Sequence, residues 1–176
     1  MALDYKNLVP EVRQLMTTEI DGDLAKNTLY KSGNLSPQGQ VDYPDLLKGA
    51  AANGTDSTLA AQILPRLNSH EKPRQLKSGA LSKPPIMRSN AHEMLAEGEF
   101  NRYYIRGVCL RAIELGHADV TVYRAKAVEN PRPDSEPKIG TTVNAASLLA
   151  DLRNNIGLDT ALGLPAGPNS GLCVYF

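Results

Sequence analysis

The spacing of apolar side chains predicts three short helices in the first part of the chain, each with one narrow apolar face. The first is predicted over residues 10–25, because a proline suits the first helical position and the apolar residues after it recur every three or four positions. A second is predicted over residues 42–54 with Asp42 as its cap, and a third over residues 57–64 with Asp56 as its cap. Helices this short are marginal alone in water, so each is expected to dock on the C-terminal part or on a neighbouring chain.

Residues 68–90 show neither the helical nor the alternating period. They contain the Pro84-Pro85 pair, which favours extended polyproline-like chain. A connection this long without secondary structure is unusual within a compact domain. We expect either a mobile linker or an arm that lies along a surface.

The helical signal returns at Asn90, which precedes Glu93 by three residues in the manner of a capping box. The apolar positions that follow predict one long helix, or two helices broken at Gly98, ending at Gly116.

Alternating apolar and polar residues from Val120 to Tyr123 then predict a strand. Asn144 is expected to cap a further helix that stops near Gly157, and the last five residues, LCVYF, read as a closing strand. The two strands are separated by enough chain for a parallel crossover, and an antiparallel pairing is equally open.

These elements predict an α+β or small α/β fold with more helix than strand. We divide it into an N-terminal helical and extended arm (1–67), a connecting segment (68–90) and a C-terminal α-β-α-β body (91–176). The predicted core comprises Leu95, Phe100, Tyr104, Val108, Ile113, Val120, Val122, Leu148, Leu149, Leu152 and Val174.

Composition supports a folded protein, since 41% of the residues are hydrophobic and 22% are charged. No apolar run is long enough to cross a membrane, so we expect a soluble protein made in the cytoplasm, with no membrane partner. Cys109 and Cys173 lie in apolar runs, which favours two buried free thiols and leaves a single disulfide open.

Charge is balanced overall, with 19 basic and 19 acidic residues, but it is unevenly distributed. Residues 68–90 carry five cations against Glu71 alone: Lys72, Arg74, Lys77, Lys83 and Arg88. Such a segment is either a solvated linker or a contact for phosphates or for an acidic protein surface. It lacks aromatic residues to stack on bases, which weakens a role in binding single strands.

One face of the long helix carries the best candidate binding residues. Glu99, Arg102, Tyr103 and Arg106 follow the i, i+3, i+4 and i+7 spacing. Two arginines and a phenol can hold a phosphate or a carboxylate, with Arg124 or Arg132 converging on it. The commoner role of such a face is a set of salt bridges, with Tyr104 in the core.

Other chemistry is not indicated. The three histidines, His70, His92 and His117, are not spaced as metal ligands, and no phosphate-binding glycine loop is present. The strand from Asp119 to Lys126 is reminiscent of metal-dependent nucleases, but a cation stands where the second carboxylate is needed. We therefore expect no catalytic residue, no metal and no cofactor.

The segments GEFNRYYIRGVCLRA, VYRAKAVENPRPDSEPKIG and LGLPAGPNSGL resemble uncharacterised proteins of bacteria, prophages and tailed phages. LDYKNLVPEVRQLM and LYKSGNLSPQG fit the same resemblance. It implies a phage or phage-derived context and assigns no activity to any residue.

The leading functional hypothesis is a non-enzymatic structural or interaction protein of a phage head, neck or tail. Its extended arms would contact other subunits, in an oligomer or a larger assembly. The alternative is an enzyme or ligand-binding protein that uses the Glu99, Arg102, Tyr103 and Arg106 face for a phosphate-bearing substrate. A third hypothesis is nucleic-acid binding through residues 68–90.

Overall fold

Five α-helices and a three-stranded antiparallel sheet form an α+β fold in the computed structural model, which describes residues 3–127, 133–156, 161–163 and 171–176. The helices are α1 (Pro10–Ala25), α2 (Pro37–Asn53), α3 (Asp56–Ile63), α4 (Ala91–Glu114) and α5 (Ala145–Asn154). The strands are β1 (Asp119–Arg124), β2 (Thr142–Asn144) and β3 (Leu172–Tyr175). Short 3-10 helices span Leu64–Arg66 and Pro133–Lys138. The fold class is as predicted.

Helix α1 has the predicted bounds, whereas α2 begins five residues earlier than predicted. Ser36, not Asp42, is its cap, and the Ser36 hydroxyl accepts a hydrogen bond from the Gly39 amide at 3.1 Å. Pro44 lies inside the helix and cannot donate to the Gln40 carbonyl. The Lys31 ammonium donates to that carbonyl instead, at 2.9 Å, which explains how the helix continues through a proline.

Helix α3 is capped by Thr55 and not by Asp56, which is its first helical residue. Thr55 and Thr58 exchange side-chain and backbone hydrogen bonds in a capping box. This frees the Asp56 carboxylate to accept a hydrogen bond from the Leu3 amide at 3.1 Å. The Asp56 side chain therefore ties the N-terminal segment to α3.

Residues 68–90 form an irregular antiparallel hairpin, which we call the 68–90 hairpin. The Met87 amide donates to the Ser69 carbonyl at 2.9 Å, and the Ser82 amide donates to the Arg74 carbonyl at 2.8 Å. Gly79, with φ +83°, supplies the turn. The two limbs are hydrogen-bonded to each other, a pairing that the sequence did not predict.

Helix α4 runs unbroken through Gly98 and ends before Gly116, which has φ +83° as a C-terminal stop requires. The predicted capping box is wrong, because the Asn90 side chain makes no capping hydrogen bond. Ile113 was predicted in the core but is 43% exposed on the last turn, where Ala112 faces inward instead.

The sheet has the order β2-β1-β3, and both pairings are antiparallel. This resolves the open choice against a parallel crossover. The three-residue β2 was not predicted, being too short to show alternation. Asn144 caps α5 as predicted, since its side chain accepts a hydrogen bond from the Ser147 amide at 3.0 Å.

One hydrophobic core is shared by the helices on both sides of the 68–90 hairpin and by the sheet. Helices α1 and α3 pack on α4, so the N-terminal helices dock on the C-terminal part of the same chain. The largest fully buried side chains include Met16, Tyr43, Leu59, Phe100, Tyr104 and Leu148.

The N-terminal segment is held across this core by tyrosine hydroxyls. The Tyr123 hydroxyl accepts a hydrogen bond from the Lys6 amide at 3.1 Å and donates to the Asp4 carbonyl at 2.6 Å. The Tyr104 hydroxyl accepts from the Asn7 amide at 2.9 Å. These hydrogen bonds hold residues 4–7 against β1 and α4.

Candidate functional site

The four side chains predicted to share one face of α4 lie together at the junction of α1, α4 and α5. Arg106 is almost fully buried, with 3% of its surface exposed. Its guanidinium donates to Glu19 at 2.7 Å and to Asp23 at 2.5 Å and 3.1 Å, both acceptors being on α1. The hydroxyl of Tyr103 also donates to Asp23, at 2.8 Å.

Helix α5 joins this network through Arg153, which donates to Glu19 at 3.0 Å. Burial alone would raise the pKa of Glu19, but hydrogen bonds from Arg153 and Arg106 outweigh it and the pKa is lowered. The pKa of Asp23 is lowered in the same way, against burial, by Arg106 and Tyr103. Both carboxylates are therefore held in the ionised form.

Arg102 connects α4 to the end of α5. One terminal nitrogen donates to the carbonyls of Leu152 and Asn155, at 3.1 Å and 3.2 Å. These carbonyls belong to the last turn of α5 and its cap, where backbone acceptors lack helical partners and carry partial negative charge. Arg102 thus acts as a side-chain cap for α5.

Glu99 is the unusual member of the group. Its side chain is 8% exposed, and its Oε2 has no hydrogen-bond partner within the described part of the chain. The Arg102 Nε atom lies 3.7 Å from that oxygen, too far for a hydrogen bond, and no other residue that the structure describes accepts one from it. Burial raises the pKa of Glu99 to about 7, against the opposing effect of Arg102 and Arg106.

A small cavity of about 10 Å³ opens beside these groups, with Thr28, Tyr30, Leu152 and Ile156 on its other walls. This is barely the room that one water molecule needs. The Arg106 donors and one terminal nitrogen of Arg102, which an anion would require, are already bonded to carboxylates and carbonyls. The arrangement is thus a set of buried ion pairs that joins three helices.

Arg124 does not reach this cavity. Its guanidinium donates to Ser135 at 3.0 Å and to Glu136 at 2.7 Å, which anchors the Pro133–Lys138 turn to β1. Arg132, the other arginine predicted to converge, lies outside the described residues. The sequence analysis did not identify Glu19, Asp23 or Arg153. These residues are far along the chain from the partners they bind, and their own spacing does not indicate the pairing.

The basic residues of the 68–90 hairpin divide into two groups. Arg88 donates to Glu71 at 2.5 Å, and Arg74 lies 3.6 Å from the same carboxylate, so these two neutralise the one acid of the segment. Lys72, Lys77 and Lys83 make no ion pair with any described residue. Lys72 lies against Gly33, and the other two face solvent.

The hairpin also exposes three large aliphatic side chains, which sequence reasoning did not single out. Leu76 is 48% exposed, Leu81 is 69% exposed and Ile86 is 78% exposed. Their irregular spacing in a polar segment gives no periodic signal. The hairpin therefore presents apolar and cationic groups together.

Both cysteines are free and buried, as the favoured prediction held. Within the described ranges, no three His, Cys, Asp or Glu side chains are placed to hold a metal ion. No helix among the described residues is long and apolar enough to cross a membrane. Comparisons of the chain with protein-family models, with curated proteins and with solved structures found no match.

Proposed function

We propose that this is a non-enzymatic interaction protein, a component of a phage virion that contacts other protein subunits through the 68–90 hairpin. The observation that carries the proposal is the exposure of Leu76, Leu81 and Ile86 on the 68–90 hairpin. Several large aliphatic side chains exposed within one short segment are a feature of surfaces that another molecule covers.

The chemistry of the hairpin favours a protein partner. Its outer part, residues 72–86, carries four cations and no carboxylate. Aliphatic side chains gain little from a phosphate backbone, whereas an apolar pocket rimmed by Asp and Glu satisfies both features. We therefore expect the partner surface to be apolar at its centre and acidic at its edge.

The junction of α1, α4 and α5 supports the non-enzymatic part of the proposal. A site for a phosphate-bearing substrate needs guanidinium donors aimed into open space. The guanidinium group of Arg106 instead donates to Glu19 and Asp23, and Arg102 donates to the end of α5. The phage context is supported by the sequence resemblance alone.

The structural role is tested first by mass spectrometry of purified particles from a phage or prophage that encodes the chain. We expect the protein in amounts comparable with other structural proteins. Its absence from intact particles would remove the virion part of the proposal.

The role of the hairpin is tested with a double variant, Leu76→Ser with Leu81→Ser. Light scattering of the wild-type protein, alone and with each purified virion protein, should reveal a complex that the double variant loses. Val41→Ser is the matched control, because Val41 is 69% exposed on α2 and its loss removes a similar apolar side chain elsewhere.

A wild-type protein that stays monomeric at high concentration and binds no virion protein would overturn the proposal. Nucleic acid is distinguished in the same series by titrating a labelled DNA duplex at several salt concentrations. Strongly salt-dependent binding that the serine variant retains would identify nucleic acid as the partner instead.

A further inference from the structure

We infer that Arg102 is shared between Glu99 and the end of α5, so that ionisation of Glu99 draws Arg102 away and loosens the last turn of α5. The junction of α1, α4 and α5 is then a proton-controlled latch. This inference is independent of the proposed function, since it concerns a buried junction and not the hairpin.

Arg102 holds the end of α5 while its Nε donor stays unbonded to any described residue. Its bonds to the Leu152 and Asn155 carbonyls stabilise the end of a helix of 10 residues, which is too short to be stable by itself. Its Nε atom has no hydrogen-bond partner among the described residues and lies 3.7 Å from Glu99 Oε2. A guanidinium group is planar and rigid, so a shift of Nε towards Glu99 also moves the terminal nitrogen that holds α5.

Glu99 is the other member of this pair, and its carboxyl group is buried. A buried carboxylate without hydrogen bonds is strongly unfavourable, and a buried carboxylic acid is much less so. The present geometry, with Arg102 bonded to α5, suits the protonated acid. When Glu99 loses its proton, the charge-assisted hydrogen bond available from Arg102 becomes the main way to stabilise the carboxylate.

Among Glu19, Asp23, Tyr43, Tyr103 and Glu99, only Glu99 has a pKa near neutral pH. The titratable and charged groups around it are Asp23, Tyr30, Tyr43, Arg102, Tyr103, Arg106 and Arg153, and Glu19 is bonded to Arg106 and Arg153. The pKa values of Glu19 and Asp23 are lowered by their arginine partners, and those of Tyr43 and Tyr103 are raised by burial. Burial raises the pKa of Glu99 to about 7, which lies above the pKa values of these two carboxylates and below those of the two tyrosines.

The inference is tested by amide hydrogen exchange, followed by NMR on the full chain at about pH 5.5 and about pH 8.5. Rates are corrected for the intrinsic effect of pH on exchange. We expect the protection of the Arg153, Asn154 and Asn155 amides to fall by about tenfold or more at the higher pH. The Met16 amide, in the middle of α1, should change much less and reports any global loss of stability.

Substitutions of Glu99 and of Arg102 test the two residues of the latch independently. Glu99→Gln should keep high protection of the α5 amides at both pH values, because the amide cannot ionise. Arg102→Met should give low protection at both. Glu93→Gln is the matched control, since Glu93 is an exposed glutamate in the first turn of the same helix, and it should behave as the wild type.

The inference is overturned if the α5 amides of Glu99→Gln lose as much protection at the higher pH as those of the wild type. It is also overturned if the wild type shows the same protection at both pH values. The wild-type protein also supplies a test that needs no variant. The carbon-13 shift of the Glu99 carboxyl must follow the same pH dependence as the α5 amides, and a carboxyl that titrates in the ordinary glutamate range would equally refute the latch.

Discussion

Gly107 of α4 lies against the backbone of Val12 in α1, so closely that a Cβ atom at Gly107 would stand 2.9 Å from the Val12 carbonyl oxygen. That distance is shorter than side-chain carbons tolerate, and the atom it meets belongs to a helix backbone that cannot move alone. Gly107→Ala should therefore destabilise the protein by about 1–3 kcal/mol, although alanine favours a helix more than glycine does. Urea denaturation followed by circular dichroism measures the change.

Gly49 in α2 is the matched control for that substitution. A Cβ atom there would meet nothing within 4 Å. Gly49→Ala should stabilise the protein by about 0.5–1 kcal/mol through helix propensity alone. Equal effects of the two substitutions would show that α1 and α4 do not approach each other as described.

Arg106 provides a second prediction, because its buried charge balances those of Glu19 and Asp23. Arg106→Met leaves the two carboxylates facing each other with much less compensation, and we expect a loss of about 3–5 kcal/mol in the free energy of unfolding. Lys48→Met is the comparison. The ion pair of Lys48 with Asp21 is exposed, and its loss should cost no more than about 1 kcal/mol.

The pH dependence of global stability follows from Glu99. Its pKa is raised by burial to about 7 in the folded protein, whereas an unfolded glutamate has a pKa of about 4.3. The folded state therefore binds this proton more tightly, and stability is fully present below the unfolded value and falls as pH rises through the folded one.

Comparison of the wild type with Glu99→Gln isolates this contribution from that of the other acids. Between about pH 4 and about pH 8.5, the difference in unfolding free energy should move by about 3 kcal/mol in favour of the variant. Thermal melts across this range measure it. A constant difference between the two proteins would mean that Glu99 is not held as the neutral acid.

The Tyr123 hydroxyl makes two of the hydrogen bonds that hold the N-terminal segment. Tyr123→Phe removes the acceptor for the Lys6 amide and the donor to the Asp4 carbonyl, and should cost about 1–2 kcal/mol. The loss should appear as faster exchange of the Lys6 amide. Tyr175→Phe is a suitable control, because the Tyr175 ring also contacts Lys6 but its hydroxyl has no partner among the described residues.

Local chemistry accounts for what the sequence predicted well. Pro10, Asn144 and Gly116 act through their own backbone or side-chain geometry, so their effect on helix ends is visible without the fold. The long apolar period of α4 likewise identifies the central helix. The prediction of Asp42 as the cap is wrong, because the helix already begins at Ser36 and Pro37. It continues through Pro44, where Lys31 donates to the carbonyl that the proline cannot reach.

Contacts between distant residues account for what the sequence could not show. The spacing of Glu99, Arg102, Tyr103 and Arg106 placed them on one face. Nothing in that spacing identifies Glu19, 87 residues from Arg106, as a partner, or Arg153, 134 residues from Glu19, as a second donor to it. Pairing of the two limbs of the 68–90 hairpin also depends on a turn at Gly79 and not on any alternation in the limbs.

The meeting of the two ends of the 68–90 hairpin has a consequence for how such a protein can diverge. The chain departs at Ser69 and returns at Met87, and a hydrogen bond of 2.9 Å joins these two residues. A segment whose ends meet can lengthen, shorten or exchange its sequence without displacing its flanks. Changes of sequence and length can therefore accumulate in this hairpin while the shared core stays the same.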